Sequence, residues 1–499
     1  MKTHALLACT LALAACVSRI ERKVGTTLET VDMKAPYLKV HMRNGDLYVL
    51  ERWTIDEPSQ SVTGSGELTG SDRTTIVKQS FRIRFRDVAL YETNTVITSP
   101  AVAAMAVITG LSVAVSVACL ANPKACFGSC PTFYVTGDDG RRILQAEGFS
   151  DSIAPSLERH DIDALWATTG KAGAVTVTMT NEAYETHVIK QADVLAVARP
   201  PGGRVLSDGE QLWLASSVTA PLGCRATEGD CLAALARADG TERFSLTDGA
   251  DLASRETIEL AFAPASGDTA LVIGARQSLV TTFLLYQGLA YLGTTATSWL
   301  AQFERSAKPA NGRALQALVG GIEVQLERAG TWVTVGEVYE TGPLATDFHM
   351  VRLPPGTTGK RVRLRLQRGG WRIDHVALAT ITGAAQPIRI APASMTGRMS
   401  PDFGRGRAPA TAFPIVTQPG DTYDFTYQLP AGEHYELFLD SRGYYLEWMR
   451  KEWLNETQPL AALKMLLDPA QALRDLAPAF KQLEPQAEAL FWSSRYAHP

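Results

Sequence analysis

Residues 322–327 read Ile-Glu-Val-Gln-Leu-Glu, and residues 361–366 read Arg-Val-Arg-Leu-Arg-Leu. In both stretches every second residue is apolar, which is the period of a β-strand that buries one face and exposes the other. The same alternation recurs at 38–42 and 175–179. The chain is therefore predicted to be multi-domain and mainly β, with a small β domain, β-sandwich-like domains, an apolar helical segment and a helical C-terminus.

The composition restricts the class of protein. The 499 residues include 48 Lys and Arg against 52 Asp and Glu, a formal net charge of −4, with 45% hydrophobic and 20% charged residues. These values are close to the averages of folded soluble proteins, so they exclude a disordered chain, a collagen-like chain and a membrane protein with many spans. They also exclude the strong basicity of a nucleic-acid coat protein, and no nucleic-acid partner is predicted. The length allows about three domains.

Breaks in the patterned stretches divide the chain into nine predicted segments. In chain order they are 1–15 a signal peptide, 16–36 a tether, 37–92 a small β domain, 93–123 an apolar helical segment, 124–277 a β-sandwich-like domain, 278–305 a helix, 320–380 a further β domain, 381–420 a Pro-, Gly- and Arg-bearing linker, and 421–499 a helical region. The helix at 278–305 is expected to cover a core, with a partner or membrane helix as the alternative.

The N-terminus has the layout of an export signal. Lys2 gives it a positive start, and the apolar run 5–15 is too short to span a bilayer. Leu-Ala-Ala-Cys at 13–16 resembles the lipobox of bacterial lipoproteins. The resemblance implies cleavage before Cys16 and attachment of diacylglycerol and a fatty acid such as palmitate to it. Val17 stands where inner-membrane lipoproteins often carry Asp, so the resemblance favours the outer membrane. The alternative is an ordinary secretory signal with a free Cys16.

Cysteine spacing agrees with an exported, oxidised protein. Cys224 and Cys231 bracket a polar six-residue loop and are predicted to form a disulfide. Cys126 and Cys130 flank a glycine-containing turn and are a second candidate pair, and Cys119 in an apolar run is expected to be a buried free thiol. Zinc would need four ligands in paired spacing, which the sequence lacks, so no metal and no cofactor is predicted.

The apolar segment 93–123 contains no charged residue, and its most apolar part, 101–121, would span about 31 Å as a helix. That length would suffice for one membrane crossing. A single inner-membrane crossing, however, would leave the later cysteines in the reducing cytoplasm, because Cys16 would be anchored on the periplasmic side. A helix or helical hairpin buried in protein is therefore one hypothesis, a membrane-inserted or oligomer-forming element is the second, and an extended β element is the third.

The order of elements in 320–380 resembles the galactose-binding-like jelly rolls of carbohydrate-binding modules. The resemblance covers about 60 residues and rests on spacing rather than on a motif. It implies a jelly-roll-like, sugar-binding β-sandwich, and it transfers no individual ligand residue to this chain.

A row of arginines lies along one predicted strand of that domain. Arg361, Arg363 and Arg365 alternate with apolar residues and so share the exposed face. They could bind anionic glycans or lipid phosphates through charge-assisted hydrogen bonds. The simpler hypothesis is cross-strand pairing with Glu323 and Glu327 on the neighbouring strand.

The linker and the C-terminal region offer two further hypotheses for binding. Arginines in 381–420 could contact anionic lipid headgroups or cell-wall polymers, although solubility alone would explain them; they are Arg389, Arg398, Arg405 and Arg407. Four aromatic residues predicted on helices are expected to be buried in a core, and the alternative is that they form a sugar-stacking platform. They are Tyr444, Tyr445, Trp448 and Trp453.

Catalytic motifs are not evident. The sequence has no Gly-x-Ser-x-Gly elbow, no His-Glu-x-x-His helix and no Walker loop. The densest polar cluster could serve acid–base or metal chemistry, although capping and solvation are the commoner role of such residues. It consists of Glu158, His160, Asp161 and Asp163. Asp374 next to His375 could orient a base, but no nucleophile is associated with the pair.

These observations favour a lipid-anchored cell-envelope protein of the outer membrane with a binding or assembly role. Its predicted partners are the membrane, through the N-terminal lipid, and a glycan or an envelope protein. The alternative is an envelope hydrolase acting on glycan or peptide, with catalytic residues brought together from distant segments.

Overall fold

The computed structural model describes most of the chain between residues 18 and 493. The described ranges are 18–25, 27–42, 46–69, 76–98, 131–136, 141–150, 152, 158–170, 173–292, 320–339, 342–355, 361–403, 406–431, 434–447 and 458–493. They contain helices and many strands, and the strands form several sheets. This confirms the predicted mainly β, multi-domain class with helices at the C-terminal end.

The strands of the described ranges are numbered in chain order. They are β1 Ser18–Gly25, β2 Tyr37–Met42, β3 Leu47–Asp56, β4 Ser61–Thr69, β5 Ile76–Arg84, β6 Val88–Thr98, β7 Thr132–Thr136, β8 Arg142–Glu147, β9 Arg159–Gly170, β10 Gly173–Thr180, β11 Glu185–Ala198, β12 Arg204–Ser207, β13 Leu212–Thr219, β14 Gly223–Ala226, β15 Gly229–Asp230, β16 Arg243–Phe244, β17 Arg255–Ala261, β18 Asp268–Gln277, β19 Ile322–Arg328, β20 Thr331–Val338, β21 Asp347–Arg352, β22 Val362–Gln367, β23 Trp371–Ala384, β24 Ile388–Ile390, β25 Ser394–Arg398, β26 Ile415–Thr417, β27 Thr422–Leu429 and β28 Tyr435–Glu447. The α-helices are α1 Leu232–Leu235, α2 Val280–Leu292, α3 Pro459–Leu467, α4 Pro469–Leu483 and α5 Ala487–Ser493.

An antiparallel sheet of six strands, in the order β1-β6-β2-β3-β4-β5, forms the N-terminal domain. Its core lies on one face and includes Leu38, Val40 and Leu50, which alternate with more exposed residues as predicted. The predicted tether at 16–36 needs correction, because β1 pairs with β6 over its whole length and extends the sheet back to residue 18.

Two sheets pack face to face in the first sandwich, with strand orders β25-β27-β10-β7-β8 and β24-β11-β28-β9. A buried cluster that includes Phe133, Val177, Leu439 and Phe425 lies between them. The strands come from two distant parts of the chain, because β11 pairs with β28 along its length and β10 pairs with β27. The first sandwich is therefore completed only by residues after 388.

The described residues between β11 and β24 are inserted into the first sandwich. There, two sheets with the orders β12-β13-β23-β18-β21 and β15-β14-β17-β22-β19-β20 form a second sandwich, here called the inserted sandwich. Its core includes Ile258, Leu364 and Trp371. Cys224 and Cys231 form the predicted disulfide, with a Cα–Cα distance of 5.1 Å across the β14–β15 turn. The other candidate pair, Cys126 and Cys130, lies outside the described residues.

This arrangement differs from the predicted segments. Strands of the predicted domain 124–277 are shared between the two sandwiches, and those of 320–380 belong to the same sandwich as β12–β18. The predicted linker 381–420 contains β24, β25 and β26, which are three to five residues long and pair with β11 and β27. Strands this short show too little alternation to be recognised among Pro and Gly residues.

The helical region is shorter than predicted. Residues 421–447 include β27 and β28, and the described helices begin only at Pro459. The helix α4 buries Leu473, Leu476 and Phe480 in a cluster with residues of α2 and with Leu252. Within 278–305, helix α2 confirms the prediction for 280–292, and 293–305 lie outside the described residues.

The predicted apolar helix at 93–123 is only partly described. Residues 93–98 form the end of β6, which corrects the prediction for that end, and 99–123 lie outside the described residues. In the part of the chain that the structure describes, no helix has the length and apolar character needed to cross a membrane.

A stacked aromatic contact joins the two sandwiches. Trp166 on β9 lies between the guanidinium of Arg204, 3.6 Å from the ring centroid, and the ring of Phe348, stacked at 4.0 Å with an interplanar angle of 4°. Glu147 on β8 accepts backbone hydrogen bonds from Leu344 (2.8 Å) and Ala345 (3.0 Å) of the inserted sandwich. Apolar, cation–π and polar contacts therefore hold one sandwich against the other.

Candidate functional site

The solvent side of the β17, β22, β19 and β20 strands carries a regular array of polar side chains, here called the polar face. Its members are Glu259, Arg361, Arg363, Arg365, Glu323, Gln325, Glu327, Trp332 and Thr334. The apolar residues between them, such as Val324 and Leu364, lie in the core of the inserted sandwich. Strand alternation thus places all nine side chains on one surface, held by hydrogen-bonded strands.

Two arginines of the polar face are paired with carboxylates. Arg365 donates to Glu323 at 2.5 Å. Arg361 forms a hydrogen-bonded ion pair with Glu259 and lies 3.5 Å from a carboxylate oxygen of Glu327. These contacts confirm the predicted cross-strand pairing. They also place a carboxylate next to the positive charge of each of the two arginines.

Arg363, at the centre of the row, has a different environment. Its Nε donates to the neutral Gln325 Oε1 at 2.8 Å, and its guanidinium carbon lies 4.5 Å from the Trp332 ring centroid. Among the described residues, no carboxylate lies within ion-pair distance of Arg363, and its two terminal amino groups donate no hydrogen bond. Arg363 is therefore the arginine of this row without a carboxylate contact, and it presents available donors beside an aromatic ring.

The chemistry of this face is that of recognition. Guanidinium groups donate in fixed planes, carboxylates accept, and an aromatic ring supplies an apolar flat surface. Arg361 and Arg365 are 53% and 42% exposed, so solvent and ligands have access to the row.

The predicted cluster around Glu158 separates into two surface networks. Glu158 accepts from Lys190 at 2.5 Å and from Arg442 at 2.8 Å. His160 Nδ1 lies 3.0 Å from Asp440 Oδ1, and His160 is half exposed while Asp440 is buried. The other two predicted members, Asp161 and Asp163, lie on the opposite face of β9, because Leu165 of that face contacts the core between the sheets.

The His160–Asp440 pair places a buried carboxylate against a solvent-accessible imidazole, as a general base requires. No hydroxyl or thiol of the described ranges hydrogen-bonds to His160. The pair therefore has an orienting group but no contacting nucleophile.

His375 is buried where the two sandwiches meet. Its ring centroid lies 6.0 Å from that of Trp166 and 6.3 Å from that of Phe348. The neighbouring Asp374 accepts backbone hydrogen bonds from Asp239 and Gly240 instead of orienting the imidazole. Sequence adjacency suggested a pair, but the register between β18 and β23 shifts at these two residues, and the Asp374 carboxylate is taken up by backbone N–H groups.

The stability of the junction is expected to fall in acid. Burial, with a smaller contribution from the nearby positive charge of Arg204, lowers the pKa of His375 to about 4. The unfolded chain has a His pKa of about 6.5, so it binds a proton that the folded protein excludes between these values. Unfolding free energy should therefore decrease as the pH falls from about 6.5 to about 4, by up to about 3 kcal/mol from this residue.

The measurement is urea unfolding across that pH range for the wild type and His375→Gln. The variant should lose less stability on acidification, because glutamine does not titrate. Parallel pH dependences for the two proteins would show that His375 does not cause the effect.

Two other predicted binding groups, the arginines of 381–420 and the C-terminal aromatic residues, have described members that make contacts within the protein. The described arginines of 381–420 form ion pairs with acidic residues: Arg389 with Asp193 and Asp440, Arg398 with Asp424, and Arg407 with Asp421. Tyr444 and Tyr445 are buried, which confirms the predicted burial in a core for these two, but they lie on strand β28 and not on a helix. Trp448, Trp453 and Arg405 lie outside the described residues.

Sequence reasoning missed several members of the polar face, among them Glu259 and Trp332. Glu259 lies on β17, about a hundred residues before Arg361, and only the β17–β22 pairing brings it to the row. Trp332 lies on β20, and its contact with Arg363 on β22 depends on the intervening strand β19. Among the described residues, no group of three or more His, Cys, Asp or Glu side chains is placed to hold a metal ion.

Comparisons with known proteins add little. No family model matches the chain, and no curated protein does. Among solved structures, the secreted serine protease VesC from Vibrio cholerae is similar at 8% identity, with 70% of this chain and 97% of that chain covered and a TM-score of 0.15. A likeness at this TM-score carries no argument about fold or function.

Proposed function

We propose that this chain is a lipid-anchored outer-membrane protein that binds an envelope glycan on the polar face of its inserted sandwich. The observation that carries the proposal is the environment of Arg363. Its guanidinium stacks on Trp332 and retains free donors, whereas the arginines on either side are paired with carboxylates. A donor group beside an aromatic ring is the combination that binds the hydroxyl edge and the apolar face of a sugar.

Two further features support the proposal. The strands that carry the polar face have their other side in a closely packed core, so the side chains are held in place before a ligand arrives. The lipobox-like Leu-Ala-Ala-Cys at 13–16 would tether this face to a membrane through Cys16.

The test separates anchoring from binding by fractionating cells that express the wild type, Cys16→Ala or Arg363→Ala. Wild-type protein should be in the membranes with polysaccharide co-purifying. Cys16→Ala should become soluble and keep its polysaccharide, whereas Arg363→Ala should stay in the membranes and lose roughly tenfold in bound sugar, because hydrogen-bond donors are removed.

Different results would contradict the lipid anchor and the glycan-binding face. Cys16→Ala attached to membranes at the wild-type level would rule out the lipid anchor. Equal polysaccharide on Arg363→Ala and wild type would rule out the binding face. Shortened glycan products that disappear in His160→Ala would favour the alternative, an envelope hydrolase using the His160–Asp440 pair.

A further inference from the structure

The formal charges of the polar face cancel. Three arginines on β22 and its start face three glutamates, Glu259, Glu323 and Glu327. Two of the arginines already contact these carboxylates, and Arg363 is the cation left over. A row of three arginines in the sequence therefore does not produce a strongly positive surface in the folded protein.

This arrangement disfavours a polyanionic ligand. Phosphate, sulfate and carboxylate groups accept hydrogen bonds but do not donate them when ionised. An anion that reached Arg363 would approach carboxylates of the same face, and like charges this close repel each other. Displacing Glu323 from Arg365 would leave that carboxylate without its cation.

A neutral sugar matches the same groups better. Each sugar hydroxyl both donates and accepts, so neighbouring hydroxyls can accept from Arg363 and donate to a carboxylate. Glu259 and Glu327 are 36% and 35% exposed and contact only Arg361 among the described charged groups, so their oxygens have capacity for further donors.

We infer that the ligand of the polar face is a neutral, hydroxyl-rich glycan rather than an anionic polymer. Arg363 donates to it, and Glu259 and Glu327 accept from it. The inference rests on the proposed glycan-binding function and specifies its ligand class.

The chain offers a matched control for Arg363. Arg352 lies over Trp213 with the same 4.5 Å distance from guanidinium carbon to ring centroid, elsewhere on the inserted sandwich. It differs in being paired with Asp268 at 3.3 Å. Arg352→Ala therefore removes an equivalent guanidinium–tryptophan stack without touching the polar face.

The experiment uses polysaccharide extracted from the envelope and split on an anion exchanger into a neutral and an anionic fraction. Binding of each fraction to the full-length protein in detergent is measured at 50 and 500 mM NaCl. The neutral fraction should bind with less than about a twofold change between the salts, because no net charge is exchanged. Arg363→Ala should weaken binding about tenfold, and Arg352→Ala should leave it unchanged.

Arg363→Gln distinguishes hydrogen bonding from charge, since the amide keeps two N–H donors but has no charge. For a neutral ligand its affinity should lie between those of the wild type and Arg363→Ala; for an anionic ligand it should fall as far as that of Arg363→Ala. Thermal unfolding of each variant establishes that it is folded.

The experiment distinguishes failure of the inferred ligand class from failure of the glycan-binding function. Binding of the anionic fraction alone, with a salt dependence of about tenfold or more, would overturn the inference and leave the glycan-binding function standing. Binding of neither fraction, or binding that Arg363→Ala does not weaken, would overturn both.

Discussion

Replacing Arg243 by methionine is expected to lower the unfolding free energy of the inserted sandwich by about 3–5 kcal/mol, because it leaves a buried carboxylate without its partner. Arg243 is 4% exposed, and its Nη1 and Nη2 donate to the two carboxylate oxygens of Glu256 at 2.8 and 2.7 Å. It also donates from Nε to Glu228 at 2.7 Å. Burial opposes the charge of Arg243, but the hydrogen bonds that it donates to Glu256 and Glu228 outweigh this effect and raise its pKa above the usual value.

The double variant Arg243→Met with Glu256→Gln is the control. Neutralising the buried carboxylate should restore more than half of the lost stability, since the penalty comes chiefly from the unpaired charge. Urea unfolding followed by tryptophan fluorescence measures both variants, because Trp371 is buried in the same sandwich. An equal loss in the single and double variants would mean that packing, and not charge burial, sets the cost.

Trp166→Ala is expected to cost about 2–4 kcal/mol and to uncouple the two sandwiches. The substitution removes the ring between Arg204 and Phe348 and opens a gap in the junction cluster, which includes Phe438 and Val205. Differential scanning calorimetry should show two separated unfolding transitions in the variant, because neither sandwich then stabilises the other through this contact.

Trp213→Ala is the matched control for Trp166→Ala. Trp213 also lies under an arginine and is also partly exposed, but its arginine partner, Arg352, belongs to the same sandwich. Its loss should lower stability without separating the transitions. Unchanged cooperativity in Trp166→Ala would show that the polar contacts of Glu147 suffice to couple the sandwiches.

Strands with one buried face could be predicted from their alternation, whereas β28, which is buried on both faces, could not. The strands β19 and β22 alternate because one side packs in the core and the other meets solvent. The strand β28 was predicted as a helix. Leu439 on one side lies between the sheets of the first sandwich and Phe438 on the other lies at the junction, so its residues do not alternate in polarity.

Part of the candidate site could also be predicted from the sequence. The row Arg361, Arg363 and Arg365 and its pairing with Glu323 follow from alternation on neighbouring strands. The exceptional position of Arg363 does not, because it depends on Gln325 being the residue in register with it and on Glu259 pairing with Arg361 instead.

Local chemistry in the sequence alone determined the mainly β class, the alternating strands of the inserted sandwich and the Cys224–Cys231 bridge, because each depends on residues close together along the chain. Only the tertiary structure decided that the chain leaves the first sandwich after Ala198 and returns to it at Ile388. Pairing of strands so far apart is set by which faces can be buried together, and no local pattern records that choice. The same long-range pairing brings the members of the polar face together, and among the described residues it leaves Arg363 as the arginine of the row without a carboxylate contact.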